Sequence, residues 1–300
     1  MAKRKSAAAV LLEYAVARFV LGTLRFTPLP VANRLARIYA KLLDRSVPRL
    51  RRVAQTNLRL AMPQLLGEQH QRIVDGVFHS LARLLVAFAR FPDIRATNAS
   101  DWIRYDGLEH YRAAKARGRG ILVATAHLGN WELSAFAHAI LTEPMHVVVR
   151  ALDNPKVDQL VETRRALSSN RLIFKKDGAL SVVRALKQNE AVGMLIDQNA
   201  APEESVFVQF FGKPAAANIG FTKIAARTGA AVVPGFALWE AREQRYVLRF
   251  YPEIELTGDA GTDTQRIHSF FEQVIREYPD QWMWIHRRWK TRPPGDPAIY

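Results

Sequence analysis

From Gly107 onward, short apolar runs alternate with stretches of helical spacing, and this restricts what the chain can fold into more than any other feature. The runs cover 121–126, 145–149, 171–174, 191–196, 231–236 and 246–250, the length of strands buried on both faces. Between or after them, apolar residues three and four apart predict helices over 132–141, 155–167, 179–187, 221–228 and 265–278. Strand and helix in alternation argue for an α/β sheet with helices on both faces, in which function collects at the carboxyl ends of the strands. The stretch 199–220 has neither pattern and reads as a long connection, of the kind that is usually functional or mobile.

The chain before Gly107 has a different texture. Residues 31–100 read as wholly helical, with Pro48 and Pro63 as breaks. Ahead of them, 10–30 reads VLLEYAVARFVLGTLRFTPLP, with Leu11, Tyr14, Ala15, Phe19, Val20 and Leu24 as its apolar part. Residues 1–60 carry 13 Lys or Arg against Glu13 and Asp44 alone, and so supply +11 of the formal charge of +15. Such an arm suits nucleic acid or an anionic membrane, and apolar residues at helical spacing between the charges favour the membrane. Glu13, Arg18 and Arg25 make a straight passage through a hydrocarbon core of ~30 Å expensive, so the segment reads as an interfacial anchor. No cleavage site for a secretory signal is evident. These boundaries give an anchor helix over 1–30, a helical preamble over 31–106 and an α/β core over 107–300.

Exclusions narrow the chemistry. Without cysteine there is no thiolate nucleophile and no Cys-ligated metal. The eight histidines are scattered with no His-x3-His pair beside a carboxylate, and Ser134 and Ser181 lack the Gly-x-Ser-x-Gly setting of a serine hydrolase. What remains is His127-Leu-Gly-Asn130-Trp-Glu132, placed where the run 121–126 ends. Gly129 and Asn130 suit a turn and an N-cap before a helix starting near Trp131. Five residues along one helix rotate by ~500°, so His127 and Glu132 can meet only if the histidine precedes the helix and the glutamate lies in its first turn. In that arrangement the carboxylate would accept a hydrogen bond from one imidazole nitrogen and leave the other free to take a proton from a hydroxyl. A histidine that merely caps the helix is the plainer alternative.

Further motifs make the pattern specific: Gly118-Arg-Gly-Ile-Leu-Val, Val149-Arg150-Ala-Leu-Asp153-Asn154-Pro155, Arg164-Arg165, Ile196-Asp197-Gln198, Phe210-Phe211-Gly212-Lys-Pro214, Val233-Pro234 and Trp282-Met-Trp284-Ile-His286-Arg287-Arg288-Trp289-Lys290-Thr-Arg292-Pro. With the basic N-terminus and His127-x4-Glu132, they resemble the late acyltransferases of lipid A biosynthesis over nearly the whole chain. Those are the lauroyl and myristoyl transferases, related more distantly to the glycerolipid acyltransferases. The resemblance implies a glycerolipid acyltransferase-like α/β fold, a mixed sheet flanked by helices and preceded by an N-terminal membrane anchor. It implies His127 as general base with Glu132 as its orienting partner, and an arginine and an aspartate that fall on Arg165 and Asp197, Arg164 competing for the first position.

The implied reaction moves a fatty acyl chain from acyl-carrier protein, or acyl-CoA, to a hydroxyl of a lipid A precursor at the cytoplasmic face of the inner membrane. It needs no acyl-enzyme, cofactor, metal or nucleic acid. A lysophospholipid, an ornithine lipid or a phosphatidylinositol mannoside would be alternative acceptors, and a non-catalytic membrane-binding protein is the rival from another class. Several residues stay open between two readings. Arg150, Arg165, Arg287 and Arg288 suit phosphate or a solvated basic face. Asp197 also suits a loop cap, Phe207, Phe210 and Phe211 an acyl path or the core, and Trp282, Trp284 and Trp289 a membrane interface or sheet packing. His138 and His146 read as structural.

Overall fold

The computed structural model describes residues 6–174 and 178–300, so Lys3, Arg4 and Lys5 of the basic terminus lie outside the described residues. Four helices come first: α1 (Ala7–Phe26), α2 (Leu29–Ser46), α3 (Pro48–Ala61) and α4 (Gly67–Ala89). Ser6 caps α1 by accepting from the amide of Ala9, and Pro48 occupies the opening of α3, where its missing N–H costs nothing. α2 turns Ala32, Ala36 and Ala40, four apart, toward α4, and their small side chains let the two helices approach closely. α1 has the length and composition to cross a bilayer, the one such helix among the described residues, and only 11% of its apolar window is buried. Leu12, Val16, Phe19 and Phe26 are exposed along it.

The rest alternates as the apolar runs predict. β1 (Ile103–Asp106), α5 (Leu108–Ala116), β2 (Ile121–Thr125), α6 (Trp131–Leu141), β3 (His146–Val149), α7 (Pro155–Ala166), β4 (Arg171–Phe174), α8 (Gly178–Lys187) and β5 (Ala191–Leu195) come in order. Then follow β6 (Ser205–Phe210), β7 (Lys213–Asn218), α9 (Gly220–Thr228), β8 (Ala231–Glu240), β9 (Arg245–Phe250) and α10 (Ala260–Glu277). The sheet has seven strands in the order β1-β9-β8-β2-β5-β3-β4 and is mixed. β8, β2, β5, β3 and β4 run parallel, while β9 pairs antiparallel with β8 and carries β1 parallel to itself at the edge. β2 lies in the middle, its residues from Ile121 to Ala124 buried between β5 and β8, which is why ILVAT reads as continuous apolar sequence.

One expectation is corrected, and one open reading is decided. The stretch 199–220 is not an open connection: β6 and β7 form an antiparallel hairpin, joined by Phe211 and Gly212, both at positive φ (53° and 67°). That is the backbone of a tight primed turn, and the Phe-Gly pair hides it because Asn-Gly is the usual signal. Phe211 tolerates the left-handed conformation because its ring packs on Trp284, with the Arg276 guanidinium 4.6 Å from its centroid. Of the two readings left open for Trp282, Trp284 and Trp289, packing holds: all three are fully buried and not interfacial. They belong to an irregular closing segment that packs around Phe210 and Phe211, also buried; of the three phenylalanines only Phe207 is exposed.

Candidate active site

The register of β2 against β5 builds the centre of the site. Thr125 pairs with Leu195, and two residues beyond each strand stand His127 and Asp197. Equal offsets past neighbouring parallel strands bring the side chains together: His127 Nδ1 lies 2.8 Å from Asp197 Oδ1, and the His127 amide donates to Oδ2 at 3.0 Å. Trp282 Nε1 donates to the same Oδ2 at 2.8 Å. Burial would push the Asp197 pKa up, but the charge of His127 and the donors from His127 and Trp282 outweigh it and hold the carboxyl at about 2. Asp197 is therefore ionised at neutral pH and can only accept, so Nδ1 is the nitrogen that keeps its proton when the imidazole is neutral. Nε2 then carries the lone pair, with only a long contact, 3.4 Å, from the Gln198 amide nitrogen.

The closing segment holds the histidine loop from behind. The Met283 amide donates to the His127 carbonyl, Leu128 makes an isolated bridge to Trp282, and the Gly129 amide donates to the Gln281 carbonyl. Gly129 has φ 65°, and a Cβ there would fall 2.0 Å from the Ala237 carbonyl oxygen, so this close approach admits only glycine. Asn130 follows as the N-cap of α6, its Oδ1 accepting from the Leu133 amide at 3.0 Å while its own amide donates to Ala237.

Glu132 is in the first turn of α6, as the spacing requires, but the expected hydrogen bond to the imidazole is not made. Its carboxylate is taken by Arg165, near the end of α7, through a fork of two bonds: Nε to Oε2 at 2.9 Å and Nη2 to Oε1 at 2.5 Å. Burial opposes the guanidinium charge, yet the bonds and charge of Glu132 win and raise the Arg165 pKa. The reason for the correction is geometric, because the strand register offers His127 a carboxylate directly alongside. Arg164, the alternative to Arg165, makes no such bond; burial first, then the charge of Arg25, lowers its pKa.

His127, Glu132 and Arg165 all line one cavity of about 610 Å3. Its walls are largely apolar, among them Phe136 and Ala135 of α6, Val147 of β3, Met194 of β5 and Phe250 of β9. Met145, Gly193, Arg150 and Asp153 also line it, the last two strongly exposed and 3.9 Å apart. His138 also contributes to the wall; its Nδ1 contacts the Tyr105 hydroxyl at 2.9 Å, and burial lowers its pKa to about 4, so it adds no charge at neutral pH. His146 is bound to Glu190 at 2.8 Å. Arg287 stacks over Tyr300. Arg288 is fully buried, donating to the Ala216 carbonyl over the Phe210 ring, and so cannot serve a ligand at the surface. Among the described residues no group of three or more His, Asp or Glu could hold a metal ion.

Two site residues escaped the sequence reading. Trp282 is a donor to Asp197, and Gln198 faces Nε2. The Trp-Met-Trp segment was conspicuous, but tryptophans beside arginines resemble a membrane belt as much as a core. Gln198 follows Asp197 directly, and only the fold shows where it points.

The chain matches the family described as bacterial lipid A biosynthesis acyltransferase over residues 2–291. It is 32% identical over 279 residues to a lipid A biosynthesis lauroyltransferase of Escherichia coli K12, covering 91% of this chain and 90% of that protein. To a lipid A biosynthesis palmitoleoyltransferase of the same organism it is 30% identical, covering 83% and 81%. A phosphatidylinositol mannoside acyltransferase of Mycobacterium tuberculosis is 28% identical over 61% of this chain and 58% of its own. The family match over nearly the whole chain and the identity to these transferases show that the chain belongs to the bacterial lipid A biosynthesis acyltransferase family and is an acyltransferase.

Proposed function

We propose that the chain transfers a fatty acyl group from a thioester, on acyl-carrier protein or coenzyme A, to a hydroxyl of a lipid A precursor, at the cytoplasmic face of the inner membrane. The observation that carries this reading is His127: its protonated Nδ1 is fixed by a buried carboxylate and its bare Nε2 borders a cavity shaped for hydrocarbon. The cavity takes the acyl chain of the donor, with the thioester carbonyl near His127. Nε2 takes the proton of the acceptor hydroxyl as its oxygen attacks the carbonyl carbon. The tetrahedral oxyanion collapses, the carbon–sulfur bond breaks, and the departing thiolate receives the proton from the imidazolium. Asp197 holds the tautomer and stabilises the charged imidazole between these steps.

Glu132 has a separate task in this scheme. It holds the Arg165 guanidinium at the cavity wall, where, with the N-terminus of α6, it supplies positive potential for the developing oxyanion or a substrate phosphate. Anchoring by α1 follows from its exposed apolar face and the arginines around it. The mycobacterial relative supports a second reading, the same chemistry on a phosphatidylinositol mannoside.

Incubating the protein with labelled acyl-carrier protein and with labelled acyl-CoA, each with purified lipid A precursor or total lipid, and identifying products by mass spectrometry tests donor and acceptor together. The account expects an ester on a lipid A precursor, lost in His127→Ala. Labelling of another lipid alone would overturn the acceptor, and no labelled lipid from either donor would overturn the activity.

A further inference from the structure

A second concavity adjoins the mouth of the acyl cavity. It is a groove of about 550 Å3 between α1 and the segment entering α7, with Leu12, Val16 and Ala17 on one wall and Leu152 and Val157 on the other. Leu152 and Asp153 line both the groove and the acyl cavity, so the two meet there.

The groove is held open by a buried residue. Asn154 caps α7 through Oδ1, which accepts from the amides of Lys156 (3.0 Å) and Val157 (3.2 Å). Its Nδ2 donates across the gap to the Val10 carbonyl (3.0 Å) and to Glu13 Oε2 (2.7 Å) of α1. One side chain thus fixes α1 against the helix that carries Arg165. A bare anchor would not need this tie, because a helix lying in a bilayer surface requires only an exposed apolar stripe.

The rim carries unspent positive charge. The Lys156 ammonium and the Arg18 guanidinium each stand 5.8 Å from the centroid of the Tyr14 ring. Arg18 Nη1 also donates to the Tyr14 hydroxyl at 3.4 Å. Among the described residues no carboxylate lies within ion-pair distance of either cation. Two cations gathered on one aromatic ring, beside Leu12 and Val16 that are 67% and 54% exposed, complement a molecule with an anionic head and an apolar chain.

We propose that this groove receives a hydrocarbon chain of the phosphorylated glycolipid acceptor, with an acceptor phosphate between Arg18 and Lys156, while the hydroxyl to be acylated reaches His127 through the shared mouth at Leu152. The inference rests on the acyl-transfer reading above and adds to it a separate site for the acceptor. Donor and acceptor chains then occupy different spaces, and the acceptor reaches the catalytic base from the membrane side along α1.

The test measures equilibrium binding of a purified phosphorylated lipid A precursor, and of the same lipid after phosphatase treatment, to the full chain in detergent micelles, followed by steady-state kinetics. Lys156→Glu is expected to weaken binding of the phosphorylated lipid roughly tenfold and to abolish the preference for it over the dephosphorylated lipid. Ala17→Phe, which fills the groove, is expected to weaken both lipids by a similar factor, with Val16→Asn as a second variant if the bulk displaces α1. In turnover, acceptor KM should rise while kcat and donor KM stay within about twofold. Unchanged acceptor binding in the Lys156 and groove variants would overturn the proposal. So would a rise in donor KM, or an equal loss of sedimentation with phosphatidylethanolamine–phosphatidylglycerol vesicles, which would leave only a surface anchor. A wild-type protein that binds the lipid but transfers nothing would sink the acyl-transfer reading, and the binding comparison would still judge the groove.

Discussion

Two hydrogen-bonded pairs flank the cavity, and they are built differently. His127–Asp197 grows out of strand register: the carboxylate is fully buried, is met by a backbone amide, an imidazole and an indole, and is braced by the closing segment. Glu132–Arg165 joins two helices, and its carboxylate and guanidinium both line the cavity. A buried carboxylate with three donors is shaped to hold one neighbour in one state, whereas a forked pair on a cavity wall offers charge to whatever enters. The spacing His127-x4-Glu132 therefore marks two units that share a loop and does not mark one hydrogen-bonded pair.

The largest expected effect separates the units at once. His127→Ala should reduce kcat roughly 10³–10⁴-fold because the proton acceptor is lost, with the circular dichroism spectrum close to wild type and a lowered melting temperature, since the buried Asp197 carboxylate loses its imidazole partner. Asp197→Asn should cost roughly 10²–10³-fold, since the amide can present its N–H to Nδ1 and stabilise the wrong tautomer. Glu132→Gln should cost roughly 10²-fold by releasing Arg165, and Arg165→Lys should recover only part of an Arg165→Ala loss, because an ammonium cannot make the fork. If Glu132→Gln proved as damaging as His127→Ala, the division between the pairs would be wrong.

The cavity between the pairs offers a finer test. Gly193 lines it, and a Cβ there would lie 3.5 Å from the Met145 sulfur, so a side chain larger than alanine must enter the channel. Gly193→Leu should move the donor preference toward shorter acyl chains by roughly tenfold in kcat/KM ratio, measured with a series of acyl-carrier proteins. An unchanged preference would remove the acyl chain from this cavity.

The smallest signal is in stability. The Asp197 carboxyl has a folded pKa of about 2 against an ordinary 3.8, so its contribution is fully present above the ordinary value and is lost as pH falls through about 2. A shift of this size corresponds to about 2 kcal/mol. Urea unfolding at stepped pH should show wild type more stable than Asp197→Asn at pH 7 by about that amount, the gap closing between pH 4 and 2. A gap that persisted at pH 2 would mean that packing, not charge, makes the difference.

Much of this molecule was legible in its sequence, and the illegible parts have physical reasons. Strands buried on both faces announce themselves as apolar runs, so β2 and β5 were readable nearly to the residue, and Asn130 was readable as a cap because its chemistry is local. The partner of His127 was not, because it depends on how β2 and β5 align, a relation between segments 70 residues apart. β1 escaped because IRYD is half polar and gains its place only by pairing with β9. The tryptophans stayed open between interface and packing because their flanking arginines mimic an interfacial belt, while Arg288 is in fact drawn inside with them. Arg165 was named by resemblance, and the fold explains the choice over Arg164: only Arg165 reaches Glu132.

Single-turnover rates through two double-mutant cycles test the separation of the units most directly. The account predicts that Asp197→Asn has little further effect in a His127→Ala background, because the carboxylate acts through the imidazole, while Glu132→Gln still costs most of its own factor there. The opposite pattern, Glu132→Gln silent and Asp197→Asn still costly without the histidine, would contradict it and return the glutamate to the role of orienting partner.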